Sequence, residues 1–416
     1  MYIIKGDLIF SKDRDSLNCI KDGYIGVENG YIEFVDNQIP SEYKNISILD
    51  YSNKLIIPGF CDLHTHAPQF ENIGLGMDKQ LLPWLNNHTF PTEARYSDVD
   101  YAYKRYEYVV EKLIQSGTTR ACIFGTIHKQ SCQVLINLMQ QKGIRGYVGK
   151  VNMDINSPEY LIEDSNASIQ DTLDFYNSNK DNDDVKPIIT PRFAPSCKED
   201  TLAKLGEIVK EFNIPVQTHM DENLNEIKWV EELFPNYTTY ADVYEKNNLL
   251  SNKTVMAHCI YLKDSELEVL NQRGVYIAHC PHSNANLASG IMPAKPYLEK
   301  GLKIGFGSDV SGGNEIGILK SMVLSLQLSK IRHHFYPDES MLSVSEAFYI
   351  ATKSGGEFFG KVGTFENNYE FDALVIDDND LTINNDLSLE QRLSRFVFAG
   401  DDRNIIKRYC FGKEIG

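Results

Sequence analysis

The chain has 416 residues, with 58 acidic against 41 basic side chains and a formal net charge of −17. A hydrophobic fraction of 42% and a charged fraction of 24% are typical of a globular protein and exclude disordered, collagen-like and coiled-coil chains. The acidic balance, without any basic run, argues against a nucleic-acid polymer as partner, because such binding depends on Lys and Arg.

The two ends of the chain resemble each other in pattern. Residues Tyr2 to Leu49 alternate in strand fashion around the turn signals "KDG" and "ENG", and Phe371 to Ile376 and Arg395 to Phe411 do the same. We therefore predict a small β-sandwich built from both termini, residues 1–57 and 365–416. A second domain, residues 58–364, is predicted to be inserted between them.

The inserted segment alternates short apolar runs with stretches of helical period. The runs predict strands at Leu55–His66, Thr118–Thr126, Arg145–Met153, Val185–Phe193, Pro215–His219, Thr254–Cys259, Val275–Cys280 and Lys303–Asp309. The helical stretches include Val99–Gln115, Gln133–Lys142, Thr201–Phe212, Ser265–Arg273 and Ile316–Ile331. Eight strands interleaved with helices predict an α/β fold with a (β/α)₈ barrel. A doubly wound sheet is the alternative, but "GLGMDK" and "GFGSDVSGG" lack its G-x-G-x-x-G fingerprint.

Several features bear on the cellular compartment. The longest apolar runs, such as "KLIIPGF", are too short to cross a bilayer. Asp7 and Asp13 interrupt the first residues, where a signal peptide needs an unbroken apolar core. The eight cysteines show no C-x-x-C pair and no framework spacing, which favours buried, reduced thiols. We expect a cytoplasmic protein with no membrane association.

The strongest local signal is the pair His64 and His66, which ends the run "LIIPGFCDLHTH". Residues i and i+2 of a strand point to the same face, so both imidazoles can reach one ion. The alternative is two polar residues that end an ordinary strand. Taken alone, the short H-x-H pattern does not decide between them.

Other predicted strands also end in chemically active side chains: His219, His258, His279 and Asp309. A barrel carries its catalytic groups at the C-terminal ends of its strands. His219, His258 and Asp309 can therefore converge with the pair His64 and His66. Three neutral imidazoles and a carboxylate suit zinc or iron with one position left for water. Because such an ion lowers the pKa of water to about 7, the set predicts hydrolysis.

Glu222 lies three residues after His219, in "HMDEN". A carboxylate beside a metal site can take a proton from water and pass it to a leaving group or a ring nitrogen. The alternative is a carboxylate that stabilises the N-terminus of the following helix. The two roles are compatible.

At these residues the sequence resembles a known family. "PGFCDLHTH" is similar to the opening signature of the amidohydrolase superfamily, metal-dependent hydrolases and deaminases on a distorted (β/α)₈ barrel. Further segments between residues 55 and 315 resemble the members that deaminate guanine. They are "HTHAPQ", "LLPWLNNHTFPTEAR", "GTTRACIFGTIH", "VKPIITPRFAPSC", "NKTVMAHCIYL", "IAHCPHSN" and "IGFGSDVSGG".

The resemblance implies a role for each matching residue. His64, His66, His219 and Asp309 would bind one zinc ion, with iron as the alternative. Glu222 would shuttle protons, Asp309 would also accept the water proton, and His258 would lie beside the attacked carbon. Binuclear relatives carry a carboxylated lysine at the position where this sequence has Arg192. Lys150 is the only other candidate for that role, so a single metal is expected.

The resemblance also implies the base pocket. Gln69, Arg192 and Phe193 would line it together with His219 and His258, and Trp84 would cover it. Arg192 only donates hydrogen bonds and prefers a ring carbonyl such as O6 of guanine, whereas the amino group of adenine would leave it unpaired. Gln69 can donate and accept, which suits a lactam edge. The two aromatic side chains can stack on a purine, although core packing is the alternative role of each.

The implied reaction is hydrolytic deamination of guanine to xanthine and ammonia. Glu222 would transfer a proton from the metal-activated water to N3 while hydroxide attacks C2. The alternative is another aminohydrolase of the superfamily, acting on a pterin, cytosine or an oxidised purine. A non-catalytic barrel disagrees with the complete residue set, and the zinc motif of cytidine deaminases is absent. His282 in "HCPHSN" stands where the resemblance leads us to expect an asparagine. A homodimer is expected from the relatives and from the frequency of twofold dimers.

Overall fold

The structure, a computed structural model, describes residues 1–381 and 386–416. Its strands are β1 (Tyr2–Ser11), β2 (Leu17–Glu28), β3 (Tyr31–Asp36), β4 (Ile48–Pro58), β5 (Phe60–His66), β6 (Thr118–Phe124), β7 (Arg145–Gly149), β8 (Val151–Asn152), β9 (Val185–Pro187), β10 (Thr190–Pro191), β11 (Val216–Met220), β12 (Thr254–His258), β13 (Tyr276–His279), β14 (Lys303–Phe306), β15 (Ala373–Ile376), β16 (Ile405–Cys410) and β17 (Lys413–Glu414). Its α-helices are α1 (Leu81–Trp84), α2 (Phe90–Ala94), α3 (Val99–Gln115), α4 (Lys129–Lys142), α5 (Ser165–Asn179), α6 (Glu199–Phe212), α7 (Leu224–Leu233), α8 (Tyr240–Lys246), α9 (Asp264–Arg273), α10 (Pro281–Asn286), α11 (Ala294–Glu299), α12 (Ile318–Phe335), α13 (Val344–Tyr349) and α14 (Leu389–Ala399).

Both termini build one seven-stranded sheet, in the order β17-β16-β15-β4-β1-β2-β3. Strand β15 pairs antiparallel with the end of β4, where Ala373 lies opposite Pro58. One face buries a cluster that includes Phe365 and Phe371, and the other packs Ile57 and Leu374 into the main core. The predicted β-sandwich of both termini is thus confirmed, as one sheet with a core on each face. The exact domain boundaries stay a prediction.

The predicted barrel is confirmed as a ring of parallel strands from β5 to β14. The strand orders are β5-β6-β7-β9, β10-β8 and β11-β12-β13-β14. A bridge from Ile189 to Val216 joins the first half to the second. At the other seam the Asp309 amide donates to the His64 carbonyl oxygen at 2.9 Å. Each of the eight predicted strands has its counterpart, although the third and fourth are interrupted as β7–β8 and β9–β10.

Several boundaries differ from the sequence prediction. The predicted strand Leu55–His66 is two strands, because the chain leaves the terminal sheet at Pro58 and enters the barrel at Phe60. Gly59 permits this passage, since a Cβ there would collide with the side chain of Thr119. Helix α12 begins at Ile318 and continues to Phe335, beyond the predicted end. The other four predicted helices correspond to α3, α4, α6 and α9.

Residues 67–97 form an irregular insert between β5 and α3 that contains α1 and α2. Trp84 in this insert is 2% exposed, and its Nε1 donates to the Leu75 carbonyl oxygen at 3.0 Å. After the insert, Asp98 caps α3 by accepting from the amides of Asp100 and Tyr101. The insert therefore lies over the barrel mouth as a packed layer. Within 1–381 and 386–416, no helix is long and apolar enough to cross a membrane.

Candidate active site

The residues predicted to bind metal meet at the C-terminal end of the barrel. His64 and His66 lie at the end of β5, His219 lies on β11, and Asp309 follows β14. One donor atom from each of the four lies within 4.8 Å of the others, and all four side chains are buried. Strand geometry explains this meeting, because parallel strands present their C-terminal ends at one face of a barrel.

The donor atoms are spaced as ligands of a common cation. Nε2 of His66 lies 3.2 Å from Nε2 of His219, and Oδ1 of Asp309 lies 3.1 Å from Nε2 of His64. Among the described residues, neither ring nitrogen of His64 has a hydrogen-bond partner. Buried nitrogens are rarely left unpaired, and a cation would satisfy the lone pair of one of them. The chemistry and spacing of this set fit a divalent metal.

The protonation states also favour metal binding. Burial, followed by the neighbouring His64, holds the pKa of His66 and of His219 well below the usual value, which keeps both imidazoles neutral. Burial opposes ionisation of Asp309, but His64 and His258 outweigh it and hold the pKa of this carboxyl below its ordinary range. Nδ1 of His219 lies 2.6 Å from the carbonyl oxygen of Arg192 and donates to it. Its Nε2 lone pair therefore faces the other ligands.

Glu222 and His258 lie beside the metal group. Oε2 of Glu222 is 3.5 Å from Nε2 of His258, which in turn is 3.7 Å from Oδ2 of Asp309. Burial, and then the charges of Asp309 and Glu226, raise the pKa of Glu222 well above the usual value. A carboxyl whose pKa is raised in this way can hold a proton as well as release one. The side chain thus has the position and the environment of a proton shuttle.

Asn284 orients His258 from the far side. Its Oδ1 lies 2.9 Å from Nδ1 of His258 and accepts a hydrogen bond from it, so the Nε2 lone pair faces the site. The backbone of His258 has φ 72° and that of Asp309 has φ 46°, a region that side-chain-bearing residues seldom adopt. Strained backbone of this type concentrates at functional sites. Sequence reasoning missed the role of Asn284, although it lies in the motif "HCPHSN".

A cavity adjoins the metal group. The predicted pocket residues Gln69, Trp84, Arg192 and Phe193 all line it, together with Glu222 and His258. The structure therefore brings together every residue that the sequence assigned to the site. The roles of these residues in binding and catalysis stay predictions. Leu81, Leu85 and Leu287 add apolar wall that the sequence did not indicate.

One buried side chain near the pocket was missed. Glu93 on α2 forms a two-pronged ion pair with Arg192, at 2.6 Å from Nη1 and 3.0 Å from Nη2. The same carboxylate accepts from Nε2 of Gln69 at 2.9 Å. A signal did exist, because an arginine predicted to be buried requires a counter-charge. The sequence gives no indication of which carboxylate supplies it.

The remaining candidates lie outside the metal group. His279 on β13 is 3.0 Å from Ser325 Oγ on α12, and burial lowers its pKa to about 3, so it is a neutral core residue. His282 contacts Asn314 at 3.2 Å. Lys150 is buried in an ion pair with Glu163, which leaves it unavailable as a bridging ligand and supports a single-metal site.

Comparison with known proteins agrees with this geometry. Residues 55–415 match the Amidohydrolase family. The guanine deaminase of Rattus norvegicus is 38% identical over 99% of this chain and 96% of its own length, and that of Dictyostelium discoideum is 35% identical over 99% and 98%. A crystal structure of guanine deaminase from C. acetobutylicum with guanine in its active site is similar over 100% of both chains, with a TM-score of 0.98 and 48% identity.

Proposed function

The chain belongs to the amidohydrolase family, and from this premise we propose that it hydrolyses guanine to xanthine and ammonia. The observation that carries the proposal is one cavity in which the metal group, Glu222 and the Arg192 side chain meet. The relatives that cover nearly the whole chain are guanine deaminases, one of them with guanine bound.

The metal of the proposal is a single zinc ion held by His64, His66, His219 and Asp309. Three imidazoles and one carboxylate are a donor set of catalytic zinc, which when bound lowers the pKa of a water to about 7. Iron(II) accepts similar ligands and is the alternative. The pairing of Lys150 with Glu163 favours one ion over two.

The proton transfers are assigned to this chain's own carboxylates. Glu222 takes a proton from the attacking water and delivers it to N3 of guanine. Asp309 accepts the second proton, which passes to the C2 amino group as the C2–N bond breaks and ammonia leaves. The raised pKa of Glu222, caused by burial and then by Asp309, matches a group that both accepts and donates a proton. Nε2 of His258, 3.5 Å from Glu222, accepts a hydrogen bond from the hydroxyl group that adds to C2.

The pocket holds the base by its carbonyl edge and its faces. Arg192 donates to O6, and Gln69 binds the adjoining ring nitrogen, so that the C2 amino group is directed at the metal group. Phe193 and Trp84 supply aromatic surface against the purine, which is worth about 1–3 kcal/mol per base in other stacked sites. Adenine presents an amino group at position 6 and would leave the guanidinium opposite a donor.

The assembly and the compartment complete the proposal. We propose a homodimer, as expected from the relatives and from the frequency of twofold assemblies. We also propose a cytoplasmic location, which the eight free cysteines support, because thiols stay reduced there. The partner in the reaction is a free nucleobase, and neither a nucleic-acid polymer nor a membrane takes part.

The test is ammonia release from guanine, adenine, cytosine and pterins, with metal analysis of the same sample. We expect release from guanine alone, in protein that contains one zinc per chain. If metal-replete protein releases no ammonia from guanine, the proposal fails. A higher kcat/KM for a pterin or for cytosine would favour the alternative aminohydrolase.

A further inference from the structure

Glu93 is a buried carboxylate that touches two pocket residues at once. Its side chain is about 1% exposed and lies on α2, in the insert over the barrel mouth. One oxygen accepts from Nη2 of Arg192 and from Nε2 of Gln69, at 3.0 and 2.9 Å, and the other accepts from Nη1 of Arg192 at 2.6 Å. A single group therefore determines the orientation of both.

The carboxylate fixes the amide of Gln69 in one of its two orientations. An ionised carboxylate accepts hydrogen bonds and donates none, so the amide nitrogen must face Glu93. The amide oxygen then points the opposite way, where it lies 3.4 Å from the backbone nitrogen of Ser311. Without Glu93, only the long contact from the backbone N–H of Ser311 would oppose an exchange of the nitrogen and the oxygen of this amide.

The guanidinium of Arg192 is held from two directions by the same helix. Glu93 uses two of its five N–H donors, and the ring of Phe90 lies 5.1 Å from the guanidinium carbon. Both residues belong to α2, which Thr92 anchors through a 2.9 Å hydrogen bond to Asn72. Three N–H donors of Arg192 stay without a partner among the described residues, and the side chain lines the cavity.

The result is an ordered pair of a donor and an acceptor on the cavity wall. Arg192 offers N–H groups, and Gln69 offers its amide oxygen. A purine with a carbonyl at position 6 presents an acceptor at O6 and a donor at N1, which complements this pair. A 6-aminopurine presents the reverse order, and a purine with hydrogen at position 6 presents no donor at N1.

We propose that Glu93 is the positioning residue that sets the preference for a 6-oxopurine, by fixing Arg192 and Gln69 in this order. The inference rests on the proposed function, and it assigns selectivity to a residue that does not touch the base. If Glu93 were only a counter-ion for a buried arginine, its loss would weaken the fold and affect all purines equally.

The test measures binding selectivity separately from turnover. In an E222Q background, which stops turnover, 2-aminopurine is titrated by its fluorescence and guanine by displacement of it. 2-Aminopurine keeps the C2 amino group but lacks O6 and the N1 hydrogen. We expect E93Q to weaken guanine binding by about 10- to 100-fold, the usual effect of removing a group that orients a ligand, and to leave 2-aminopurine binding at the starting value.

A matched control lies in the same insert. Glu71 pairs with Arg105 at 2.7 Å outside the cavity, so E71Q removes the same charge, and we expect it to change neither affinity. Equal weakening of both purines by E93Q, or an unchanged ratio, overturns the proposal. The result stands apart from the proposed function, because wild-type protein that binds guanine selectively but releases no ammonia contradicts only the latter.

A second variant covers the case in which E93Q does not fold. The double variant E93Q/R192Q buries no unpaired charge, and R192Q alone serves as its reference. Because Glu93 also holds the amide of Gln69, we expect E93Q/R192Q to bind guanine more weakly than R192Q does, and to bind 2-aminopurine no more weakly. The same ratio of guanine affinity to 2-aminopurine affinity in R192Q and in E93Q/R192Q would show that Glu93 does not order Gln69, and would overturn the proposal.

Discussion

Two buried arginines at opposite ends of the barrel show how the same chemistry serves structure and binding. Arg120 lies near the start of β6 and faces the terminal sheet, where Nε and Nη2 both donate to Asp372 and Nη2 also donates to Glu370. Arg192 follows β10 at the mouth and pairs with a single carboxylate, Glu93. The first therefore faces two acids, and the second faces one acid and a cavity.

The surroundings of Arg120 and of Arg192 differ in how many of their polar groups have a hydrogen-bond partner. Asp372 also accepts from the amide of Phe411 at 2.8 Å, and Glu370 also accepts from Arg145 at 2.9 Å. We call this cluster of Arg120, Asp372, Glu370 and Arg145 the junction. It is a network of buried and partly buried charges, which rigidifies the contact between the barrel and the terminal sheet. At the mouth, Arg192 keeps N–H donors available for a ligand. Because these donors are already held in place, a ligand can bind them with little further loss of conformational entropy.

Removal of the metal should abolish activity at the mouth and leave the fold at the junction unchanged. We expect exhaustive chelation to abolish ammonia release from guanine, because no group remains to activate water, and zinc to restore it. Far-UV circular dichroism should keep the native spectrum, since the junction and the two faces of the terminal sheet do not involve the metal ligands. Full activity in protein shown to be free of metal would contradict the assignment of the four ligands.

Replacing Arg120 by Met should lower the stability of the fold at the junction and leave activity at the mouth unchanged. Asp372 would be left buried without its cation, a change that typically destabilises proteins by about 3–5 kcal/mol. Urea unfolding should report this loss, while kcat/KM for guanine of the folded enzyme stays at the wild-type value. A large fall in kcat/KM at full folding would show that the two ends of the barrel are coupled.

The same substitution at Arg192 is the matched experiment. R192M should lower kcat/KM for guanine by about 10²–10³-fold, as expected for the loss of an oriented donor at the reacting ligand. The metal content should not change, because the backbone carbonyl that orients His219 is retained. Equal losses on guanine and on 2-aminopurine, assayed as an inhibitor, would contradict the assignment of Arg192 to O6.

The contrast also explains what the sequence could predict. The eight strands and the meeting of His64, His66, His219 and Asp309 follow from local patterns, because parallel strands carry their ends to one face. Phe60 shows the limit, since Pro58 and Gly59 before it signal a break in the strand but do not show that the chain passes from the sheet to the barrel there.

Partners of buried charges are harder to predict. Glu93 is 99 residues from Arg192 along the chain, in a segment, "HTFPTEAR", whose polar character is typical of an exposed loop. Asp372 is 252 residues from Arg120. Periodicity reports which face of an element is buried, but it carries no information about which distant side chain meets it. The need for a partner could be predicted, but its identity required the fold.

Acid should weaken the junction through Asp372. Burial opposes its ionisation, but Arg120 outweighs burial and holds the pKa of the carboxyl below the ordinary value. A lowered folded-state pKa contributes stability above the unfolded value of about 3.9, and this contribution is lost as pH falls through the folded pKa. D372N should therefore lose about 2 kcal/mol of unfolding free energy at pH 7, and less below pH 4.

The control for this pH profile is a carboxylate in an exposed ion pair. Asp171 pairs with Lys129 on the surface, and exposed pairs contribute about 0–1 kcal/mol. Urea titrations of D171N and D372N at several pH values should show a pH-dependent difference from wild type only for D372N. A difference for D372N that is constant from pH 3 to pH 7 would mean that ionisation of this carboxyl does not stabilise the junction.

The smallest expected effect concerns Asn284, a buried residue at the mouth that contacts His258. Asn284 accepts from Nδ1 of His258 at 2.9 Å and thereby turns the Nε2 lone pair toward Glu222. N284A should lower kcat by about tenfold, because the two tautomers of His258 would then interconvert. N284D keeps the acceptor and should retain most of the activity. If N284D loses as much activity as N284A does, Asn284 instead donates to His258, and the opposite tautomer faces the substrate.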